Sequence, residues 1–227
     1  MSDLVEPDVL EIQTRLLDWF RVSGRQLPWR QTRDPYAVLL AEKLLQQTVV
    51  REGVVRAYND LLAAYPMPVA LAEADVESIR ATIQSLGLHY RAQELVALAR
   101  EISEKHGGYV PQDFGLLLAL PGVGDYIARA ILCFAFGQDV PIVDTNVARI
   151  LYRLFGLPGP MPANPARKRN LTELAESLLP TGQSREFNLA MLDLGALVCK
   201  APMPKCDLCP LLPVCEFAIS TTEGEEG

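Results

Sequence analysis

No apolar run in the 227 residues approaches the roughly 18 needed for a membrane-spanning helix, which excludes a helical membrane span. The N-terminal stretch MSDLVEPDVLEIQTR lacks the basic-then-apolar order of an export signal, so the expected compartment is the cytoplasm. No segment alternates with period two between hairpin turns, and no repeat occurs at solenoid periods. A β-sandwich and a repeat array are therefore excluded. Positive charge is also scarce: 21 Lys and Arg against 28 Asp and Glu leave a net charge of −7. That argues against a generic nucleic-acid coat. It does not argue against a DNA enzyme, whose affinity depends on the local face offered to phosphate. Part of the acid sits in TTEGEEG at the C-terminus, which reads as a short disordered tail.

What the chain does contain is helical periodicity almost everywhere. VLEIQTRLLDWFRVS reads as a first helix and DPYAVLLAEKLLQQTVVREGVVRAYNDLLAAYP as two more. VESIRATIQSLG and YRAQELVALAREISEKHGG follow, the latter stopped by its Gly pair, with His106 as a charge complement to the helix C-terminus. The proline-rich LPGPMPANP reads as a loop. The length suits one large domain or two small ones, and the expected class is all-α.

Three local patterns carry chemistry. In LALPGVGDYIARAIL, two glycines flank Val123 between two helical stretches. Gly122 and Gly124 permit a tight corner and close backbone approach, and the N–H groups opening the next helix point at an anion such as a DNA phosphate. The plainer reading is an ordinary helix–helix turn; Asp125 suits a helix N-terminus but repels phosphate. Eighteen residues after Tyr126, Asp144 in VPIVDTNVARIL reads by itself as an N-cap. Finally, Cys199, Cys206, Cys209 and Cys215 form C-x6-C-x2-C-x5-C. In a reducing compartment this favours a metal site over disulfides, and four thiolates suit either tetrahedral zinc or an iron–sulfur cluster. Cys133 falls in an apolar helix and reads as a small buried residue.

Taken in order, LPWR, DPYAVLLAEKLLQQT, LPGVG, VDTNVAR, FNLAMLDLGALVC and the cysteine spacing resemble the helix-hairpin-helix (HhH-GPD) DNA glycosylases. The branch they resemble carries a [4Fe–4S] cluster and includes endonuclease III, the MutY adenine glycosylases and the MIG thymine-mismatch glycosylases. The resemblance runs from about Leu27 to Cys215. It implies a six-helix domain over residues 28–137, and a second domain of 1–27 with 138–227 bearing the cluster loop. Tyr126 and Asp144 would stand at the mouth of a cleft between the two. It further implies a cytoplasmic, nucleoid-associated monomer acting on double-stranded DNA. Cys199, Cys206, Cys209 and Cys215 would hold the cluster, and a monovalent cation would sit at the hairpin.

The same resemblance assigns roles. Base excision needs a flipped nucleotide, and an anionic carboxylate beside the sugar stabilises the oxocarbenium character of bond rupture. Asp144 is that carboxylate. Lyase members have a lysine where Tyr126 stands; a phenol cannot form an imine, so the chain reads as monofunctional. MIG has a tyrosine at this place and MutY a serine. The alternative for Tyr126 is packing over the sugar. Glu42 matches MutY's acid for the departing adenine, with burial expected to raise its pKa; next to Lys43 it would otherwise be a solvated surface charge. In Gln46–Gln47–Thr48, Gln46 is the candidate wedge for the gap left by the flipped base. Leu88 and His89 match a second loop inserted into the duplex. Lys200 and Lys205 either approach phosphate or are merely solvated. Tyr126 favours uracil or thymine opposite guanine; Glu42 with the glutamine pair favours adenine. Because the chain stops soon after the cysteines, the extra C-terminal domain of MutY is expected to be missing, which favours the former. The remaining alternatives are a bifunctional endonuclease III acting on oxidised pyrimidines and a catalytically silent DNA-binding module.

Overall fold

The computed structural model describes residues 8–87 and 90–223; helices dominate and no strand occurs among the described residues. The chain divides into two compact units, residues 1–25 with 137–227, and residues 26–136. No helix among the described residues is long and apolar enough to cross a membrane.

The first unit opens with α1 (Val9–Ser23), capped by the Asp8 carboxylate accepting from Leu10 N. The chain then passes into the second unit. There it forms α2 (Pro35–Leu45), α3 (Glu52–Ala64), α4 (Pro68–Ala72), α5 (Val76–Thr82), α6 (Arg91–Lys105), α7 (Phe114–Ala119) and α8 (Asp125–Phe134). Asp34 caps α2 by accepting from Ala37 N at 2.7 Å, and Pro35 presets its first turn. Every residue from Tyr36 to Leu44 is buried. A helix buried on all sides belongs at a centre, and α2 packs there against the equally apolar α8, which holds Cys133 in its buried face.

Two features of this unit were not legible in the periodicity. VESIRATIQSLG is not one helix: α5 stops at Thr82 and a single 3-10 turn, Gln84–Leu86, follows. At five residues, α4 is too short to show a period. The end of α6 does match its signal. His106 N and Gly108 N both donate to Ile102 O at 3.1 Å, closing the helix at the Gly pair.

The chain returns to the first unit with α9 (Thr145–Leu154), α10 (Arg169–Ser177), α11 (Ser184–Leu197) and α12 (Glu216–Glu223). Ile12 and Leu16 of α1, Val147 and Leu151 of α9, and Phe187 and Leu194 of α11 share one core. Asp193, fully buried, accepts from Arg25 N at 2.8 Å and Arg25 Nε at 2.6 Å, fastening the end of α1 to α11. The acidic tail differs from its sequence reading, since α12 runs through Glu223; residues 224–227 lie outside the described residues.

Candidate active site

In the second unit the Gly-x-Gly segment is a helix–corner–helix. Val123 N donates to Leu120 O at 3.2 Å, and Gly122 adopts φ +68°. Only glycine fits that corner, because a Cβ there would also lie 2.5 Å from Lys43 Nζ. Val123 is buried, whereas Gly122 and Gly124 are exposed. Gly124 is the N-cap of α8, so no side chain caps that helix, and Tyr126 is its second residue, half-buried. The positive end of α8 thus carries backbone donors and a phenol together.

The C-terminal turn of α2 meets this corner. Glu42 is 5 % exposed and Lys43 1 %, so the pair is interior and not a solvated surface couple. Lys43 Nζ donates to Gly122 O at 3.1 Å and lies 3.4 Å from Glu94 Oε2; burial pushes its pKa down while Glu94 pulls the other way. Gln46 Nε2 also reaches Gly122 O, at 3.3 Å. Its neighbour Gln47 is exposed and sits at φ +53°, a conformation that costs a non-glycine residue about 1–2 kcal/mol. Buried Arg91 holds this turn from α6, its Nη1 donating to Leu44 O at 2.9 Å and Thr48 Oγ1 at 3.0 Å. Leu88 and His89 lie outside the described residues.

In the first unit Asp144 is indeed an N-cap. Its Oδ1 accepts from Val147 N at 2.7 Å and its Oδ2 from Asn146 Nδ2 at 2.9 Å, yet the residue is only half-buried. Each carboxylate oxygen has a second lone pair, so capping and a role toward a ligand are compatible. Asn188 aims the segment leading into Asp144, donating to Val140 O at 2.9 Å and accepting from Ile142 N at 3.1 Å.

From Asp144 a chain of bonds runs to the cysteine loop. Arg149 Nη2 donates to Asn146 Oδ1 at 2.8 Å and Gly195 O at 2.9 Å, and its Nε to Cys199 O at 2.8 Å. Gly195 makes the approach possible, since a Cβ there would lie 2.6 Å from Asn146 Cβ. Arg149→Gln cannot satisfy three acceptors at once. We expect a loss of about 2 kcal/mol, read as a lower melting temperature, together with slower turnover as Asn146 loosens. Unchanged melting would show that the bridge contributes nothing.

The four cysteines of the loop form no disulfide. Burial, opposed by a bond from the Leu211 backbone and reinforced by Cys199, Cys215 and Cys206, pushes the Cys209 thiol up to about 11. Among the described residues no group of three or more His, Cys, Asp or Glu side chains is arranged to hold a metal ion. Arg153 organises the loop: Nη1 donates to Cys199 Sγ at 3.3 Å and Lys200 O at 2.7 Å, Nη2 to Ala201 O at 2.9 Å, and its guanidinium lies 5.1 Å from the Phe217 ring centroid. Lys200 and Lys205 are exposed.

Arg91, Asn146, Arg149, Arg153 and Asn188 had no individual place in the sequence reading, and Lys43 entered it only as the neighbour of Glu42. A signal existed for three of them. Asn146, Arg149 and Arg153 recur at i, i+3 and i+7, one face of α9, and that polar stripe faces the cysteine loop.

The first unit thus holds a capped carboxylate and a four-thiol loop, and the second a helix–corner–helix with an uncapped N-terminus. Residues 41–180 match the HhH-GPD superfamily base excision DNA repair proteins. The chain belongs to that superfamily. It is 41% identical over 223 residues to the thymine/uracil-DNA glycosylase of Pyrobaculum aerophilum, covering 95% of this chain and 96% of that protein. It is 39% identical over 200 residues to the adenine DNA glycosylase of Mycobacterium tuberculosis, covering 87% of this chain and 65% of that protein. The structure of a thermostable thymine-DNA glycosylase superposes with a TM-score of 0.86 at 34% identity, over 93% of this chain and 97% of the other.

Proposed function

We propose that the protein is a monofunctional DNA glycosylase that releases uracil or thymine opposite guanine. The observation that carries this reading is Tyr126. A half-buried phenol stands second in the uncapped helix α8, where strand cleavage by imine chemistry needs an amine. The names of the relatives from Pyrobaculum and from the solved structure support the substrate class. Asp144 stabilises positive charge on the sugar as the C1′–N bond breaks, and takes a proton from the water whose oxygen adds to C1′. The uncapped end of α8, with Gly122, Val123 and Gly124, receives a backbone phosphate. Gln46, the wedge expected from the sequence, donates its amide to Gly122 O. We therefore assign entry into the gap left by the flipped base to its neighbour Gln47, exposed and held in a left-handed turn, with Gln46 bracing it from the hairpin.

One observation favours a second reading as an adenine glycosylase: Glu42 is buried in α2 as an acid would need to be. Duplexes carrying U·G, T·G, A·G, A opposite 8-oxoguanine, and thymine glycol decide between them. Base release from U·G or T·G, with strand breaks only after alkali, supports the first reading. Release confined to adenine sinks it, and breaks without alkali point to a lyase.

We further propose that Cys199, Cys206, Cys209 and Cys215 hold a [4Fe–4S] cluster. The donor set is chemically suited: four cysteines on one short loop, none in a disulfide, can serve a cluster or zinc, and the resemblance to the cluster-bearing branch favours the cluster. When bound, the cluster cross-links the 199–215 loop as structure, without redox turnover. Cys206→Ser should yield colourless, poorly folding protein; colourless wild type containing zinc would reject the cluster. A cation at the hairpin would not use the Gly122 carbonyl, which already serves Lys43 and Gln46.

A further inference from the structure

Lys43 is the odd residue of the second unit. An ammonium with 1 % exposure, in the last turn of the central helix, has no place in a simple core. It would be expected to be replaceable by an apolar side chain at little loss, since desolvation offsets most of what a buried ion pair gains. The carboxylate it pairs with among the described residues, Glu94, is 3.4 Å away and 41% exposed, a weak partner. Its better bond is to a backbone oxygen, Gly122 O, at the tip of the hairpin corner. Gln46 donates to that same oxygen, so two donors from one helix end occupy one carbonyl. Three residues after Lys43 the chain turns out through Gln46 to the left-handed Gln47, and Thr48 clasps the turn by donating from Oγ1 to Gln46 O at 3.2 Å.

We propose that Lys43 is a positioning residue that locks the phosphate-binding hairpin and the Gln47 turn into one rigid piece, through the shared Gly122 carbonyl. Arg91 anchors the other side of the same turn at Leu44 O and Thr48 Oγ1. With the bracket in place, a phosphate seated on the α8 N-terminus fixes where Gln47 enters the duplex. Without it, the hairpin still binds phosphate, but the turn is no longer registered against it. The bracket therefore acts on recognition of a flipped or missing base more than on binding to intact DNA. This role rests on the glycosylase reading above, although the bracket itself does not.

Lys43→Met, near in volume and apolar, removes the charge without a cavity. In the full-length protein with its metal content unchanged, amide hydrogen exchange should speed up about tenfold in both 121–126 and 46–49, and hardly at all in the middle of α6. Binding to a duplex carrying a tetrahydrofuran abasic analogue should weaken about tenfold, against less than about threefold for the undamaged duplex. Gln47→Ala added to Lys43→Met should cost little beyond Lys43→Met alone, because a turn out of register has already lost its use of Gln47. Gln46→Ala, at a half-exposed position, makes the same test should Lys43→Met fail to fold, with smaller changes of the same pattern. Faster exchange in only one segment, or in neither, overturns the bracket. Equal weakening on both duplexes, or additive effects of Lys43 and Gln47, overturns its role in recognition. Wild-type protein that does not prefer the abasic duplex sinks the glycosylase reading instead, and the exchange experiment still decides whether the two segments are tied.

Discussion

Asp144→Asn should reduce single-turnover base release by on the order of 10³-fold or more, about 4 kcal/mol of transition-state stabilisation, while leaving the protein folded and bound to DNA. The substitution removes a charge and keeps the shape. Asparagine is as good an N-cap as aspartate, so its carbonyl can still accept from Val147 N. What it cannot do is accept from Asn146 Nδ2, because its own NH2 would face that donor. Asn146 has no easy escape by flipping, since its Oδ1 is held by Arg149. We therefore expect a modest stability loss of about 1 kcal/mol, seen as a shift of roughly 3 °C in melting temperature. The two effects differ by about 3 kcal/mol, roughly two orders of magnitude, which is what separates a catalytic carboxylate from a merely structural cap. Release at near-normal rate in a variant melting like wild type would remove Asp144 from the chemistry.

Tyr126→Lys should turn a base-releasing enzyme into one that also cuts the strand. The new amine would stand second in α8, at the positive end of a helix with no side-chain cap. That environment disfavours the ammonium and leaves more free amine to attack C1′ of the abasic aldehyde. Water leaves as the imine forms, and elimination then breaks the strand on the 3′ side. Borohydride, which reduces the imine to a stable amine, should trap the variant on abasic DNA at a level on the order of 10² above wild type. Tyr126→Phe makes a useful companion. If the phenol only packs against the sugar, its loss leaves base release intact and breaks no strands. Trapping of the wild type itself would show that another amine already does this work and that the protein is not monofunctional.

Much of this protein could be read before any coordinates. Helical spacing marked α1 residue for residue, and the Gly pair marked the end of α6. Cys133 was expected to be buried in an apolar helix and is. The order of the motifs was enough to name the superfamily that the comparisons identify. The misses share a physical origin. α4 is shorter than any period that could announce it, and the break after Thr82 depends on packing. Burial of Glu42 was expected from the resemblance alone, against the solvated charge that residue type by itself suggests; the enclosure of α2 on every side makes it, and Lys43 beside it, interior.

What the residue order determined by itself was local: where helices start and stop, that a corner of glycines precedes α8, that a carboxylate opens α9, and that four thiols share one loop. These follow from caps, periods and spacing, which act over a few residues. The tertiary structure alone decided the partners. Gly122 O takes Lys43 from 79 residues away, and Arg149 reaches Cys199 O across 50. Such pairings carry no mark in the sequence, because a buried polar group must find a partner wherever the fold brings one within reach, and reach is set by packing, not by distance along the chain.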